Sequence, residues 1–165
     1  MNGFTAPHGA SGTSVSSGDP AARAGVSLPH DIRTAIVAHA RAQDPFEACG
    51  IIVGDRPAAE GGRPLRFEKT RNRAASRFLY EIDPDDLLRL TIETDDADEV
   101  FWAIVHSHTG SPAVPSPTDR RLAFYPDALY ILVSLAPAEA DPATGAESLR
   151  AWRIVGGETW EVELA

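Results

Sequence analysis

The stretch 101–119, FWAIVHSHTGSPAVPSPTD, joins an apolar run to two histidines, a segment rich in glycine and proline, and an acid. Its first five residues predict a buried strand that ends in the polar pair His106 and His108. Because successive side chains of a strand point to opposite faces, both histidines face one side and Ser107 faces the other. Two imidazoles on one face would supply half of the donors of a tetrahedral zinc site.

Asp119 is the best candidate for a third ligand. Gly110, Pro112 and Pro115 favour a turn that brings a following helix, and with it Asp119, back to the histidines. Three protein ligands leave one coordination position open, as in catalytic zinc sites. Zinc lowers the pKa of a bound water from about 15.7 to about 7, and hydrolysis would then need a carboxylate that takes and returns a proton.

Each of these residues also has a structural interpretation. The histidine pair could simply lie half-exposed at the end of a strand. Ser116 and Pro117 are typical of a helix start, with Ser116 as the N-cap and Asp119 as the acid that reaches back to it. This interpretation is compatible with metal binding, since a capped helix holds a ligand rigidly. Glu47 alone would be an ordinary charge beside a strand, and Cys49 is predicted to be a small buried residue.

Composition limits the class of protein. At 165 residues with 43% hydrophobic content, the chain has room for one domain with a core. A net charge of −9 argues against binding nucleic acid or an anionic membrane. The single cysteine excludes an internal disulfide and fits the cytoplasm, and neither a signal pattern nor an apolar run of about 18 residues is present. The remaining histidines are expected at the surface: His8, His30 and His39.

The order of patterns along the chain predicts an α/β domain. Residues 1–26 are rich in Gly, Ser, Ala and Pro and are predicted to be a disordered tail, with the domain spanning 27–165. Gly156 and Gly157 predict a hairpin too tight for a parallel crossover, so the sheet should be mixed and mostly antiparallel. Helices are expected at 28–43 and 83–96, and a surface loop at 136–148. Strands are expected at 47–54, 65–70, 78–82, 100–106, 128–135, 149–155 and 159–164.

The combination resembles the JAMM signature of the catalytic MPN domain metalloproteases, over roughly residues 28–164. The pattern is an upstream glutamate, His-x-His, seven residues, a serine, two residues and an aspartate. The resemblance implies a single MPN (JAB-type) domain, a cytidine-deaminase-like α/β fold with a mixed sheet flanked by helices. It implies Glu47 as the general acid/base and Ser116 as a hydrogen-bond donor to the oxyanion. The implied zinc ligands are His106, His108 and Asp119.

A closer resemblance is to the small actinobacterial CysO-cysteine peptidases of the Mec type. It implies hydrolysis of the amide between a C-terminal cysteine and the terminal glycine of a ubiquitin-like sulfur-carrier protein, which releases cysteine. The N-terminal tail and the loop 136–148 differ from the corresponding parts of the compact members of this branch. The resemblance therefore does not identify the carrier-binding surface. The stretches that carry the resemblance are 47–50, 96–100, 106–109 and 150–155.

Three other functions fit parts of the same pattern. The same chemistry could act on another ubiquitin-like tag or a short peptide, as in a JAMM isopeptidase or deubiquitinase, although the chain lacks an obvious long insertion. A non-catalytic MPN scaffold would typically lack one or more signature residues, and none is missing. A two-histidine, one-carboxylate iron oxygenase fits the ligand count but leaves Glu47 and Ser116 unexplained. The sequence leaves the oligomeric state open and is compatible with a homodimer.

Overall fold

Six strands form one sheet in the computed structural model, which describes residues 25–165. Neighbouring strands run antiparallel except β3 and β4, which are parallel, so the predicted mixed, mostly antiparallel sheet is confirmed. The strand order is β2-β1-β3-β4-β5-β6. The helices and strands are α1 His30–Gln43, β1 Cys49–Gly54, β2 Pro64–Thr70, α2 Pro84–Asp96, β3 Val100–His108, α3 Pro117–Arg121, β4 Leu129–Ser134, β5 Ser148–Val155 and β6 Glu158–Val162.

Strand β3 lies in the interior of the sheet, between β1 and β4. Its residues from Trp102 to His108 are all buried. A parallel neighbour requires a crossover of a dozen or more residues. In this chain the crossover is the segment 109–128, which contains α3, and it returns over the sheet close to the end of β3.

The two faces of the sheet are covered by different helices. On one face Ile36 of α1 packs with Val105 in a shared core, and on the other Leu90 of α2 packs with Ile104. Because side chains alternate along β3, His106 and His108 lie on the same side as Ile104. The two histidines therefore face the side of the sheet that α2 and the crossover cover.

Local signals at turns and helix starts are confirmed. Gly156 and Gly157 have φ angles of 58° and 81°, which fits a two-residue hairpin turn between β5 and β6. The Asp83 side chain caps α2 by accepting hydrogen bonds from the backbone amides of Asp85 and Asp86. These features depend on a few adjacent residues, so the sequence alone predicts them.

His39 is buried, and its predicted surface position is wrong. Its ring Nε2 lies 3.0 Å from the backbone oxygen of Cys49 at the start of β1. Burial lowers the pKa of His39 below its ordinary value. His39 follows the buried residues Ile32 and Ile36 at helical spacing, which is the signal that places it on the inner face of α1. His30 is exposed as expected, and His8 lies outside the described residues.

The strand expected at 78–82 is also wrong. The segment between β2 and α2 is an irregular loop, with a single bridge between Asn72 and Ile82. The Asn72 side chain takes hydrogen bonds that a neighbouring strand would otherwise supply: its Nδ2 donates to the oxygen of Leu79 at 3.0 Å, and its Oδ1 accepts from the amide of Glu81 at 3.0 Å. A side chain that satisfies the backbone in this way favours a loop over a ladder.

The first and last of the described residues meet beside β6, the edge strand of the sheet. Val26 pairs in parallel with Leu164, and its amide donates to the oxygen of Glu163 at 2.8 Å. The disordered tail expected at 1–26 is therefore wrong at Val26, and it remains a prediction for residues 1–24, which lie outside the described part of the chain. Within residues 25–165, none of the helices has the length and apolar character needed to span a bilayer.

Ser107→Ala should lower the stability of the domain. The Ser107 hydroxyl accepts a hydrogen bond from the buried amide of Ala48 at 2.8 Å, and the variant leaves that amide without a partner. An unsatisfied buried donor costs about 1–3 kcal/mol, so the free energy of unfolding in urea should fall by that amount. Ser111→Ala, at an exposed side chain, is the control and should change it by no more than about 0.5 kcal/mol. Equal stability of the two variants would contradict the prediction.

Candidate metal centre

His106 and His108 converge at the end of β3. Their Nε2 atoms lie 3.3 Å apart, and the residues are 1% and 4% exposed. The other ring nitrogen of His108, Nδ1, lies 2.6 Å from the backbone oxygen of Pro112. A proton on Nδ1 would donate to that oxygen and leave the Nε2 lone pair free for a metal ion.

Asp119 lies beside both histidines, at the first turn of α3. Its Oδ1 is 3.3 Å from Nε2 of His106, and its Oδ2 is 3.2 Å from Nε2 of His108. These three side chains each place a potential ligand atom within 4.8 Å of the other two. The structure therefore brings together the three residues that the sequence singled out as ligands.

The protonation of His106 and Asp119 suits a cation. Burial lowers the pKa of His106, which favours its neutral form. Burial also opposes the charge of Asp119, but hydrogen bonds from His106 and His108 outweigh it and hold the pKa of that carboxyl well below its usual range. At His108, burial is outweighed by the contacts with Asp119 and the Pro112 oxygen, so its pKa is raised. A neutral imidazole and an ionised carboxylate are the forms that bind metals, so a metal ion would displace the proton that these contacts favour on His108.

Glu47 lies two residues before the start of β1 and is 5% exposed. Its Oε2 is buried and has no hydrogen-bond partner among residues 25–165. Burial raises the pKa of Glu47 to about 7, with smaller effects from His108, which lowers it, and Asp119, which raises it. A carboxylate with a pKa near neutrality and a free oxygen is suited to accept and return a proton.

Ser116 is the N-cap of α3, as the local pattern predicts. Its Oγ accepts from the amide of Asp119 at 3.1 Å, and the Asp119 carboxylate accepts from the amide of Ser116 at 2.7 Å. Because Oγ acts as an acceptor in this capping box, the hydroxyl proton remains available for another partner. Capping and donation to a substrate are therefore compatible at Ser116.

Backbone contacts anchor the segment between the histidines and α3, and the sequence does not reveal them. The indole Nε1 of Trp152 donates to the oxygen of Ala113 at 3.0 Å. The Ser134 hydroxyl donates to the oxygen of Ser111 at 2.7 Å. Every residue has a backbone carbonyl, so no sequence pattern predicts which carbonyl will accept a hydrogen bond from a given side chain.

The loop between β2 and α2 forms another part of the site that the sequence analysis missed. The amide of Glu47 donates to the oxygen of Ser76 at 2.8 Å, and Asn72 donates to the oxygen of Glu47 at 2.9 Å. The Tyr80 ring stacks on His106, with ring centroids 4.3 Å apart and planes inclined by 20°. This loop therefore contacts both the glutamate and a histidine of the site.

The chemistry of the donor set fits a metal ion. Two imidazole nitrogens and a carboxylate oxygen are ligands that zinc accepts, and three protein ligands leave a position for water or substrate. Cys49 is buried as predicted and is not a member of the cluster. Burial raises the pKa of its thiol to about 11, which keeps it protonated at neutral pH.

Comparisons with known proteins identify relatives over most of the chain. The model of prokaryotic homologs of the JAB domain matches residues 29–155. A CysO-cysteine peptidase from Mycobacterium tuberculosis is 42% identical over 132 residues, which cover 79% of this chain and 84% of that protein. A desampylase from Haloferax volcanii is 32% identical over 115 residues, which cover 66% of this chain and 80% of that protein.

A solved structure agrees with this assignment. The solution structure of a Desulfitobacterium hafniense protein superposes with a TM-score of 0.70 at 28% identity and covers 85% of this chain and 91% of that one. The family match extends from the start of α1 to the end of β5 and so includes every candidate site residue. The chain belongs to the family of prokaryotic homologs of the JAB domain.

Proposed function

We propose that this protein is a zinc-dependent peptidase that hydrolyses the amide between a C-terminal cysteine and the terminal glycine of a ubiquitin-like sulfur-carrier protein. The observation that carries the hydrolase part is the buried cluster of two histidines and an aspartate. The substrate part is supported by the 42% identity with a protein named CysO-cysteine peptidase. Release of cysteine would place the enzyme in cysteine biosynthesis.

His106, His108 and Asp119 would hold the metal in this proposal. A zinc ion there would lower the pKa of a coordinated water to about 7 and polarise the carbonyl of the scissile amide. The short contacts between Asp119 and both Nε2 atoms keep the three ligands close together and keep the carboxylate ionised. The contact of His108 with the Pro112 oxygen orients its ring for the same purpose.

Glu47 and Ser116 would carry the proton transfer and the charge stabilisation. Glu47 takes a proton from the attacking water and delivers it to the amine of cysteine as the carbon–nitrogen bond breaks. Its buried Oε2, which has no hydrogen-bond partner among the described residues, and its raised pKa support this role. The Ser116 hydroxyl donates to the carbonyl oxygen as negative charge develops on it, while its Oγ continues to cap α3.

A second candidate substrate is another ubiquitin-like tag. A protein named desampylase is 32% identical to this chain. Its name indicates a reaction different from that of the CysO-cysteine peptidase relative, which favours a second substrate. The chemistry at the metal centre is the same in both cases, so the substrate assay separates them. The homodimer and the cytoplasmic location remain predictions of the sequence.

The purified zinc-loaded protein should remove one cysteine from a sulfur carrier that ends in Gly-Cys. The carrier is weighed by mass spectrometry before and after incubation, and its mass should fall by one cysteine residue. The reaction should stop when a chelator removes the metal. An unchanged carrier together with cleavage of another ubiquitin-like tag would contradict the cysteine-releasing function and support the second candidate.

Glu47→Gln should retain zinc and lose activity. The amide has nearly the size of the carboxylate but does not accept a proton, and general acid–base catalysis contributes about 10²–10⁴-fold to rates. Metal content and kcat are measured on the same preparation, with the exposed Glu60→Gln as the matched control. His108→Ala should instead lose both metal and activity. A Glu47→Gln protein with the kcat of the control would show that Glu47 is not the base.

Ser116→Ala separates the capping role of the hydroxyl from its proposed catalytic role. Loss of an N-cap alone costs about 1 kcal/mol of stability and leaves the rate per folded molecule unchanged. Loss of an oxyanion donor lowers kcat by about 10²–10³-fold. We expect both effects, with zinc content unchanged because the hydrogen bond from the Ser116 amide to Asp119 remains.

The control for Ser116→Ala is Asp83→Ala, which removes the cap of α2. Thermal melting, metal analysis and single-turnover kinetics are compared for the two variants. Normal turnover by the folded Ser116→Ala protein would show that Ser116 is only a cap.

A further inference from the structure

The two histidine rings of the metal centre are held in different ways. Nδ1 of His108 has the Pro112 oxygen as its partner, at 2.6 Å. Nδ1 of His106 is buried and has no hydrogen-bond partner among residues 25–165. Metal-binding histidines usually donate this second N–H to a carbonyl, a carboxylate or a water, which fixes the orientation of the ring. The described residues supply no such partner for His106.

An aromatic ring covers His106 instead. The Tyr80 and His106 rings are nearly parallel, with a 20° angle between their planes and 4.3 Å between their centroids. Stacked aromatic pairs are an attractive arrangement with a defined geometry. Burial raises the pKa of Tyr80 well above its usual value, so the phenol stays neutral against the imidazole.

Tyr80 is itself held in place from both sides. Asn72 donates to the oxygen of Leu79, the residue before Tyr80, and accepts from the amide of Glu81, the residue after it. The Asn72 side chain also donates to the oxygen of Glu47. A single side chain therefore ties the backbone on both sides of Tyr80 to the segment that carries the candidate base.

An apolar cavity of about 270 Å³ lies next to this ring. Tyr80 lines the cavity and also stacks on His106, which does not line it. A shorter side chain at position 80 would leave one face of the His106 imidazole uncovered and give it room to rotate. The cavity lining includes Tyr80, Ile82, Leu87, Ile104, Tyr125 and Tyr130.

We propose that Tyr80 is a positioning residue that holds the His106 imidazole by stacking, as the Pro112 oxygen holds His108 by a hydrogen bond. The inference rests on the proposed role of His106 as a metal ligand. Tyr80 affects the metal affinity and the geometry of the ligands in this proposal, and it does not contact the reacting atoms. The ring, and not the phenol hydroxyl, is the part that matters.

Metal binding by two variants of Tyr80 tests this assignment. Zinc affinity is measured by competition with a chelator, and the absorption spectrum of the cobalt(II) protein reports the geometry of the ligands. Tyr80→Leu should weaken zinc binding by about 10- to 100-fold, the range found when the partner of a ligand is removed, and should alter the cobalt spectrum. Tyr80→Phe keeps the ring and should match the wild type in both measurements.

Tyr125→Leu is the matched control. It removes an aromatic ring from the same cavity, but the ring of Tyr125 pairs with Phe101 and not with His106. It should melt at a lower temperature and keep the zinc affinity and cobalt spectrum of the wild type. A merely structural role of Tyr80 predicts the same behaviour for Tyr80→Leu.

Wild-type affinity and spectrum in a folded Tyr80→Leu protein would overturn the inference. Equal weakening in Tyr80→Phe and Tyr80→Leu would also overturn it, because the hydroxyl would then be the important group. If Tyr80→Leu does not fold, Tyr80→Met is judged by the same two measurements. A wild-type protein that binds neither zinc nor cobalt would instead overturn the proposed function.

Discussion

The hydrogen bonds between Ala48 and Ser107 are the constraint on which the candidate site depends. The Ser107 amide donates to the Ala48 oxygen at 3.0 Å, and the Ser107 hydroxyl accepts from the Ala48 amide at 2.8 Å. Glu47 precedes one partner and the two histidines flank the other. Because side chains alternate along a strand, this link occupies one face of β3 and leaves the opposite face to the histidines. The candidate base, two residues before β1, is thereby held beside the end of β3, which carries two candidate ligands.

Asp119 shows how a local rule and a tertiary requirement are met by the same atoms. Its carboxylate completes the capping box of α3 with the Ser116 amide and also lies against both histidines. A buried carboxylate is costly unless hydrogen bonds compensate it, and here three groups do so. The structural and the metal-binding interpretations of this segment are therefore not exclusive. The short helix α3 lies in the crossover between the parallel strands β3 and β4, and it brings Asp119 back to the end of β3.

The loop between β2 and α2 connects parts of the site that are distant in sequence. Asn72 satisfies backbone groups on both sides of Tyr80 and reaches the oxygen of Glu47. Its side chain replaces the ladder that would make residues 78–82 a strand, and the irregular backbone places the Tyr80 ring on His106. The error in the sequence prediction thus falls on a segment with a role at the site. Hydrophobic alternation in a sequence does not indicate whether the backbone groups of that segment form hydrogen bonds with a neighbouring strand or with an asparagine side chain.

The sequence by itself determined the features that depend on residues close together in the chain. These are the alternation that puts His106 and His108 on one face, the N-caps of two helices and the glycine hairpin. The JAMM pattern also indicated which distant residues should meet, and Asp119 lies beside both histidines. Only the tertiary structure decided the carbonyl partners of His39 and His108 and the stack of Tyr80 on His106. The physical reason is that every residue has a backbone carbonyl and every aromatic residue has ring faces. The sequence therefore does not identify which groups pair, and the packing of distant segments selects them.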